Sequence, residues 1–388
     1  MPIRNRFAEL HPDITAWRRD IHAHPELQYD TPRTSALVAE KLRDFGCDDV
    51  VEGIGRTGVV GLIHGKTSGS GKTIGLRADI DALPILEATG AAHASTTPGK
   101  MHACGHDGHT AMLLGAAQYL AETRNFDGTV AVVFQPAEEG GAGAEAMVQD
   151  GLIDRFGISE IYGLHNSPYL PFGRFAIREG AFYAAVDSFK IQIHGKGGHA
   201  ARPHVTVDTT LAASAIVMAL QSVVARNTDP QQPLVVSVTS LRTDTDAFNV
   251  IPEHATLRGT IRCFDMEVRA QTLDRIKALT QHTAESYGAA ATFMLDEEPY
   301  PVMANHRDET VHCAAAACTV AGDCDTNAPR TTGGEDFAYM LQACKGAYIQ
   351  LGIGDGPGLH HPEYDFNDEV IPIGCSYWVT LAESRLAP

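Results

Sequence analysis

Residues 129–141 read TVAVVFQPAEEGG, and this stretch decides the architecture. The apolar run Thr129–Pro136 has the length and β-branched content of a short buried strand, and Gly140-Gly141 stops it. Glu138 and Glu139 therefore sit at a strand's C-terminal edge. Two adjacent carboxylates repel each other. One arrangement that relieves this gives the first to a proton and the second to a metal ion.

Working outward, the same kind of edge recurs. Met101–His109, MHACGHDGH, packs His102, Cys104, His106, Asp107 and His109 into nine residues, with Gly105 allowing a tight backbone. His165 follows the apolar Ile161–Leu164, and His360-His361 follow the apolar segment around Tyr348–Gly352. Asp79 and Asp81 follow the run Thr73–Leu76. Nearly every candidate lies just past a predicted strand, the edge where open α/β sheets build their sites. Thiolate, imidazole and carboxylate together suit zinc or another first-row metal better than magnesium or calcium. His102, His109 and His361 fit equally as ligands, as supports of ligands or as plain structural residues.

Helices are predicted over 12–23, 31–45, 107–123 and 143–150, and strands over 59–64, 73–76, 129–135 and 158–164, an alternating α/β pattern. It changes near residue 183. Strand 186–194, helix 206–226, strands 234–239 and 255–263, helix 266–287 and strand 290–295 follow in the β-α-β-β-α-β order of a ferredoxin-like unit. Because His360 comes later, the first layer must be completed after this insertion. The expected fold is a discontinuous catalytic α/β domain with a central mixed sheet, 1–182 and 298–388, interrupted by a lid and dimerisation domain, 183–297.

The chain has 388 residues, the length of two domains or one large one, is 44% hydrophobic, ample for a core, and carries a formal net charge of −18. Such acidity argues against nucleic acid or an anionic membrane surface as a partner. The charged N-terminus has no apolar core, and no run approaches 18 apolar residues. The eight cysteines form no CxxC pair or disulfide framework, so a cytoplasmic location is expected. GKTSGSGKT has Lys66 where a phosphate-binding loop needs its first glycine, and a strand follows it rather than a helix. No GxSxG elbow occurs.

MHACGHDGH, FQPAEEGGAGA, GLHN, GKGGHAARP, FNVIPE, GGEDFAYM and LHHPEYDFND together resemble the hippurate hydrolase/N-acyl-L-amino-acid amidohydrolase family, which includes plant auxin-conjugate hydrolases and N-acetyldiaminopimelate deacetylases. The resemblance runs from about His22 to the C-terminus. It implies hydrolysis of N-acyl-L-amino acids by two divalent ions per subunit (zinc, manganese, nickel or cobalt). It also implies Cys104, His106, Glu139, His165 and His360 as metal ligands, Glu138 as general base and Asp81 as an orienting carboxylate. His199 would polarise the scissile carbonyl from a neighbouring protomer, with Asn249 nearby, in a homodimer or higher homo-oligomer formed through the lid. Arg262, at the end of a lid strand, suits a substrate carboxylate or a surface ion pair. Peptidase relatives in the larger group carry His-x-Asp where this chain has Asp79-Ile80-Asp81, and a bridging aspartate where it has Cys104. A dipeptidase or carboxypeptidase on the same scaffold, a non-catalytic metal-binding protein and a Cys104 thiol nucleophile are the rival readings.

Overall fold

Buried β-branched runs form the centre of a seven-stranded mixed sheet in the computed structural model, which describes residues 5–295 and 299–387. Its order is Asp49–Ile54, Gly58–His64, Thr129–Gln135, Thr73–Asp79, Ile158–Ser167, Lys345–Gly352 and Phe175–Ala176. The four strands from Thr129–Gln135 to Lys345–Gly352 run parallel, so their C-terminal ends share one edge. Central parallel strands are covered on both faces, which is why they read as near-continuous apolar runs. Every residue of Thr129–Gln135 except the first is buried. The helix His106–Thr123 is almost wholly buried against the sheet and against the helices Asn5–Ala23 and Ile371–Arg385.

Several boundaries differ from expectation. The first helix begins at Asn5, not residue 12, and carries Pro12 inside it. Phe7, Leu10, Ile14, Arg18 and Ile21 form one buried stripe along it, and that packing outweighs the missing backbone donor. The strand starting at Thr73 extends to Asp79, and the one starting at Ile158 extends to Ser167. His165 thus lies within a strand, opposite Gln350, rather than beyond its end. The edge strand Asp49–Ile54, half exposed and charged, was not foreseen.

Tyr183–Met303 and Arg330–Glu335 form a second compact unit, and Met1–Phe182, Ala304–Pro329 and Asp336–Pro388 the first. The expected boundary at 297–298 lies outside the described residues. Tyr300 belongs with the second unit because it exchanges backbone hydrogen bonds with Val186. This unit is an antiparallel sheet in the order Leu234–Thr243, His254–Cys263, Ala185–His194, Ala290–Leu295, the ferredoxin-like arrangement. Strict alternation of burial along Ala185–His194 marks one face as core, which the helices Thr209–Ser222 and Met266–Ser286 cover. Asp208 and Asp265 cap those helices, each carboxylate accepting from two backbone N–H groups. The first helix starts at Thr209 because Asp208 caps it there, and it ends in one π turn, Val223–Asn227. Thr209–Asn227 is long and apolar enough to cross a membrane by length and composition, contrary to the count of apolar runs. In this fold Ala212, Ala213, Ile216 and Leu220 bury one face of it in the unit's own core.

Candidate metal centre

The parallel strands deliver their acidic and imidazole side chains to one edge of the first unit. Asp81 organises it. Its Oδ1 and Oδ2 accept from the backbone N–H groups of Glu138 (3.0 Å) and Glu139 (3.1 Å), which fixes the start of the paired-glutamate turn. Its backbone carbonyl accepts from His106 Nδ1–H at 2.8 Å. His165 Nδ1–H likewise donates to a backbone carbonyl, that of Asn166, at 2.6 Å. Each ring is held in the tautomer whose Nε2 lone pair faces inward, the usual preparation of a metal-binding imidazole. His165 Nε2 lies 3.4 Å from Cys104 Sγ. His106 Nε2 lies 3.9 Å from Glu138 Oε2 and 4.0 Å from Glu139 Oε1, and Glu139 Oε1 lies 3.3 Å from His360 Nε2.

Gly105 makes the tight link between Cys104 and His106. Its φ is +86°, and a Cβ there would meet Asn166 Nδ2 at 2.3 Å and Tyr364 Oη at 2.5 Å. The helix that starts at His106 is pinned by a buried network. Asp107 accepts from His22 Nδ1 (2.8 Å) and Arg18 Nη1 (3.3 Å), and Arg18 also reaches Asp368 at 2.7 Å. Burial opposes charge on His22, but Asp107 outweighs it and pushes the pKa up to about 9.

The donors fit a metal. His106 Nε2 is buried and has no hydrogen-bond partner among the described residues, an expensive state for a polar atom unless an ion takes its lone pair. Cys104 Sγ is shared by two groups of close donors, one with His106 and His165, the other with Glu139 and His360. Burial, then the Glu139 and Glu138 carboxylates, push the Cys104 thiol far up. Burial keeps His165 neutral. For His106, burial opposes charge, but Asp79 and Asp81 outweigh it and push the pKa up to about 10. Without a cation this centre holds protons on a thiol and an imidazole, and metal binding releases such protons.

The sequence pattern of peptidase family M20/M25/M40 matches residues 75–384. The chain belongs to that family. Within the family it is similar to the hippurate hydrolase of Campylobacter jejuni, 39% identical over 96% of this chain and 97% of the relative. It is also similar to the N-acetylcysteine deacetylase of Bacillus subtilis, 37% identical over 96% and 97%. The crystal structure of a Bacillus subtilis dinuclear metal-binding peptidase of the M20 family superposes with a TM-score of 0.84, at 34% identity, over 98% of this chain and 99% of that one.

The structure thus brings Cys104, His106, Glu138, Glu139, His165, His360 and Asp81 together in this M20-family chain. His102 is buried nearby with both ring nitrogens unpartnered among the described residues, and burial holds its pKa down to about 3. His361 is exposed, its Nδ1 accepting from the Glu363 N–H. His199, Asn249 and Arg262 lie in the second unit. His199 is exposed on a two-residue strand paired with Val250–Ile251, and the Ala200 N–H donates to the Asn249 carbonyl at 3.0 Å. Arg262 is half-buried near the far end of His254–Cys263, opposite Val186, and donates to the Ile261 carbonyl. Asn166, Tyr364, Arg18 and His22 were not singled out from sequence. The N of GLHN and the Y of HHPEY were visible inside motifs, but nothing local marks Arg18 or His22.

Proposed function

We propose that this M20-family chain is a metal-dependent amidohydrolase that cleaves N-acyl-L-amino acids to a carboxylic acid and a free amino acid. The observation that carries the reading is the paired-glutamate turn. Asp81 holds both glutamates by their backbone, beside a His106 Nε2 that has no hydrogen-bond partner among the described residues and a Cys104–His165 donor pair. Cys104, His106, Glu139, His165 and His360 would hold two divalent ions, with zinc, manganese, nickel and cobalt all compatible with the donors. When bound, such ions supply Lewis-acid polarisation of a carbonyl and activation of water. Glu138 takes the proton of the attacking water as the C–O bond forms and returns it to the leaving nitrogen as the C–N bond breaks. The names of the hippurate hydrolase and N-acetylcysteine deacetylase relatives support an acyl-amino acid over a peptide.

The second unit supports a lid that serves two protomers. Eight residue steps separate His254, beside the His199 strand, from Arg262. At about 3.3 Å each these span roughly 26 Å. A small acyl-amino acid is about 10 Å long, some three residues of extended chain. That spacing supports separate sites for Arg262 and His199. Arg262 binds the substrate carboxylate in its own protomer, while His199 and Asn249 act in the partner's site. Leu211 and Met218, 53% and 71% exposed on the apolar lid helix, support a homodimer through that face. Eight free cysteines support a cytoplasmic location, and the acidic charge supports neither nucleic acid nor a membrane as a partner.

The test strips the protein with a chelator, then measures metal content and turnover of hippurate and N-acetyl-L-methionine. Full activity without metal would end the reading. Free-acid substrates should be strongly preferred to their methyl esters, and Arg262→Ala should erode that preference by about 2–5 kcal/mol. Faster cleavage of plain dipeptides would move the protein to the dipeptidase or carboxypeptidase class.

A further inference from the structure

His109 lies one helical turn after His106 and is 2% exposed. Its Nδ1 is 2.6 Å from Asp79 Oδ1, and its Nε2 is 2.9 Å from both the backbone N and the Nδ2 of Asn166. A backbone N–H only donates, so Nε2 carries the lone pair and the ring proton is on Nδ1, donated to Asp79. The other Asp79 oxygen accepts from Arg77 Nη1 at 2.8 Å. Asp79, His106 and His109 place ligand atoms within 4.8 Å of one another, yet the Asp79 and His109 atoms are already taken by protein partners. That group is not where an ion sits, and His109 is left without a role in binding or chemistry.

Its partner Asn166 supplies one. The two hydrogens of Asn166 Nδ2 go to His109 Nε2 and to the Cys104 carbonyl, the latter at 2.6 Å. Asn166 Oδ1 accepts from Tyr364 Oη at 2.8 Å, and the Asn166 carbonyl accepts from His165 Nδ1. The His109 ring also stands edge-on to the His165 ring, with centroids 4.5 Å apart. One residue, Asn166, therefore touches the backbone of the thiol ligand and the ring of the imidazole ligand, and the single lone pair of His109 Nε2 holds Asn166, shared between its backbone N–H and its Nδ2–H.

We propose that His109 is a positioning residue which, by accepting from Asn166, sets the spacing of Cys104 Sγ and His165 Nε2, and with it the affinity for the ion the thiolate holds. This rests on the metal-binding reading above.

Cobalt(II) titration of the metal-stripped protein tests it, read by the thiolate-to-cobalt charge-transfer band. His109→Ala should weaken cobalt binding in that band by about 10–100-fold, the usual effect of removing a group that supports a ligand. Two further variants separate the halves of the ring. The side-chain oxygen of His109→Gln reaches the place of Nε2 and accepts from Asn166, so it should keep most of the affinity. His109→Asn restores only the donor towards Asp79 and should behave like Ala. Thr110→Val is the control: it removes the Thr110 Oγ1 hydrogen bond to the Asp79 carbonyl (3.0 Å), touches no ligand, and should lower the melting temperature while leaving the cobalt band unchanged. Wild-type cobalt affinity in His109→Ala, with only its melting lowered, would overturn the inference. Rescue by Asn but not by Gln would overturn the route through Asn166. A wild-type protein that binds cobalt with no thiolate band would overturn the metal reading of Cys104 beneath it.

Discussion

Asp81→Asn is the most informative single substitution in the centre. The side chain changes by one atom type and keeps its volume, so any effect comes from hydrogen bonding and charge. In the wild type both carboxylate oxygens accept backbone N–H groups, from Glu138 and Glu139. A carboxamide accepts through one oxygen and turns an NH2 towards the second N–H. One charge-assisted bond, worth about 1.5–3 kcal/mol, is lost, and a buried donor is left facing another donor at a further cost of about 1–3 kcal/mol. Burial already works against the Asp81 charge and pushes its pKa up, so the neutral amide recovers part of this. The net loss is about 2–4 kcal/mol, which lowers the melting temperature of the metal-free protein by roughly 3–7 °C. Turnover should fall further than stability, by about 10²-fold, because the Glu138 carboxylate moves with its backbone and a displacement near 1 Å costs about that much. The assay pairs thermal melting of stripped protein with metal content and kcat of the reconstituted enzyme. Wild-type kcat and metal content in Asp81→Asn would refute the argument that this carboxylate orients the paired glutamates. A melting change without a kcat change would confine Asp81 to a structural role.

Other outcomes follow from the same geometry. Glu138→Gln should retain metal and fold yet lose turnover by about 10²-fold or more. If it lost metal while Glu139→Gln kept it, the two roles would be exchanged. Mixing the inactive variants His199→Ala and Glu138→Gln should restore some activity, because a mixed dimer contains one site with both groups intact; no recovery despite demonstrated subunit exchange would place His199 in its own protomer's site or outside catalysis. Away from the centre, burial opposes charge on Glu160, but Arg385, Lys72 and Tyr162 outweigh it and bring its pKa from 4.5 to about 2. A depressed carboxylate pKa stabilises the fold fully above the unfolded value and loses that contribution as pH falls through the folded value. The contribution, up to about 3 kcal/mol, should be present above pH 4.5 and fade towards pH 2. The stability gap between wild type and Glu160→Gln in urea melts should narrow over that interval, and a constant gap would contradict the ion-pair account.

The sheet edge was legible because strand ends announce themselves locally. Apolar runs stop at glycine or at polar residues, and Glu138 and Asp79 sit at those stops, whereas the strand that carries His165 runs on to Ser167. The ferredoxin-like order of the inserted unit was legible for the same reason, through alternation and helix-start signals such as Asp265. What stayed hidden depends on pairs far apart in sequence. Arg18 meets Asp368 across 350 positions, and His109 meets Asn166 across 57. Nothing near Arg18 distinguishes it from a surface arginine on an exposed helix face; only the packing of Asn5–Ala23 makes it a buried tie. The motif marked His109 but left it open between ligand and support, because that choice turns on which atoms already satisfy its two nitrogens.

The strand Lys345–Gly352 lies between Ile158–Ser167 and Phe175–Ala176 in the sheet, although more than 160 residues separate it from its neighbours along the chain. On the ribosome this interior strand arrives late. Until it emerges, Ile158–Ser167, buried along all but one of its ten residues in the finished protein, presents an unpaired apolar edge to other nascent chains. The insertion thus sets a delay during synthesis, in which five paired strands must wait for the sixth. The His165 strand waits longest for its partner, so closure of the sheet and assembly of the metal centre both follow synthesis of the inserted unit.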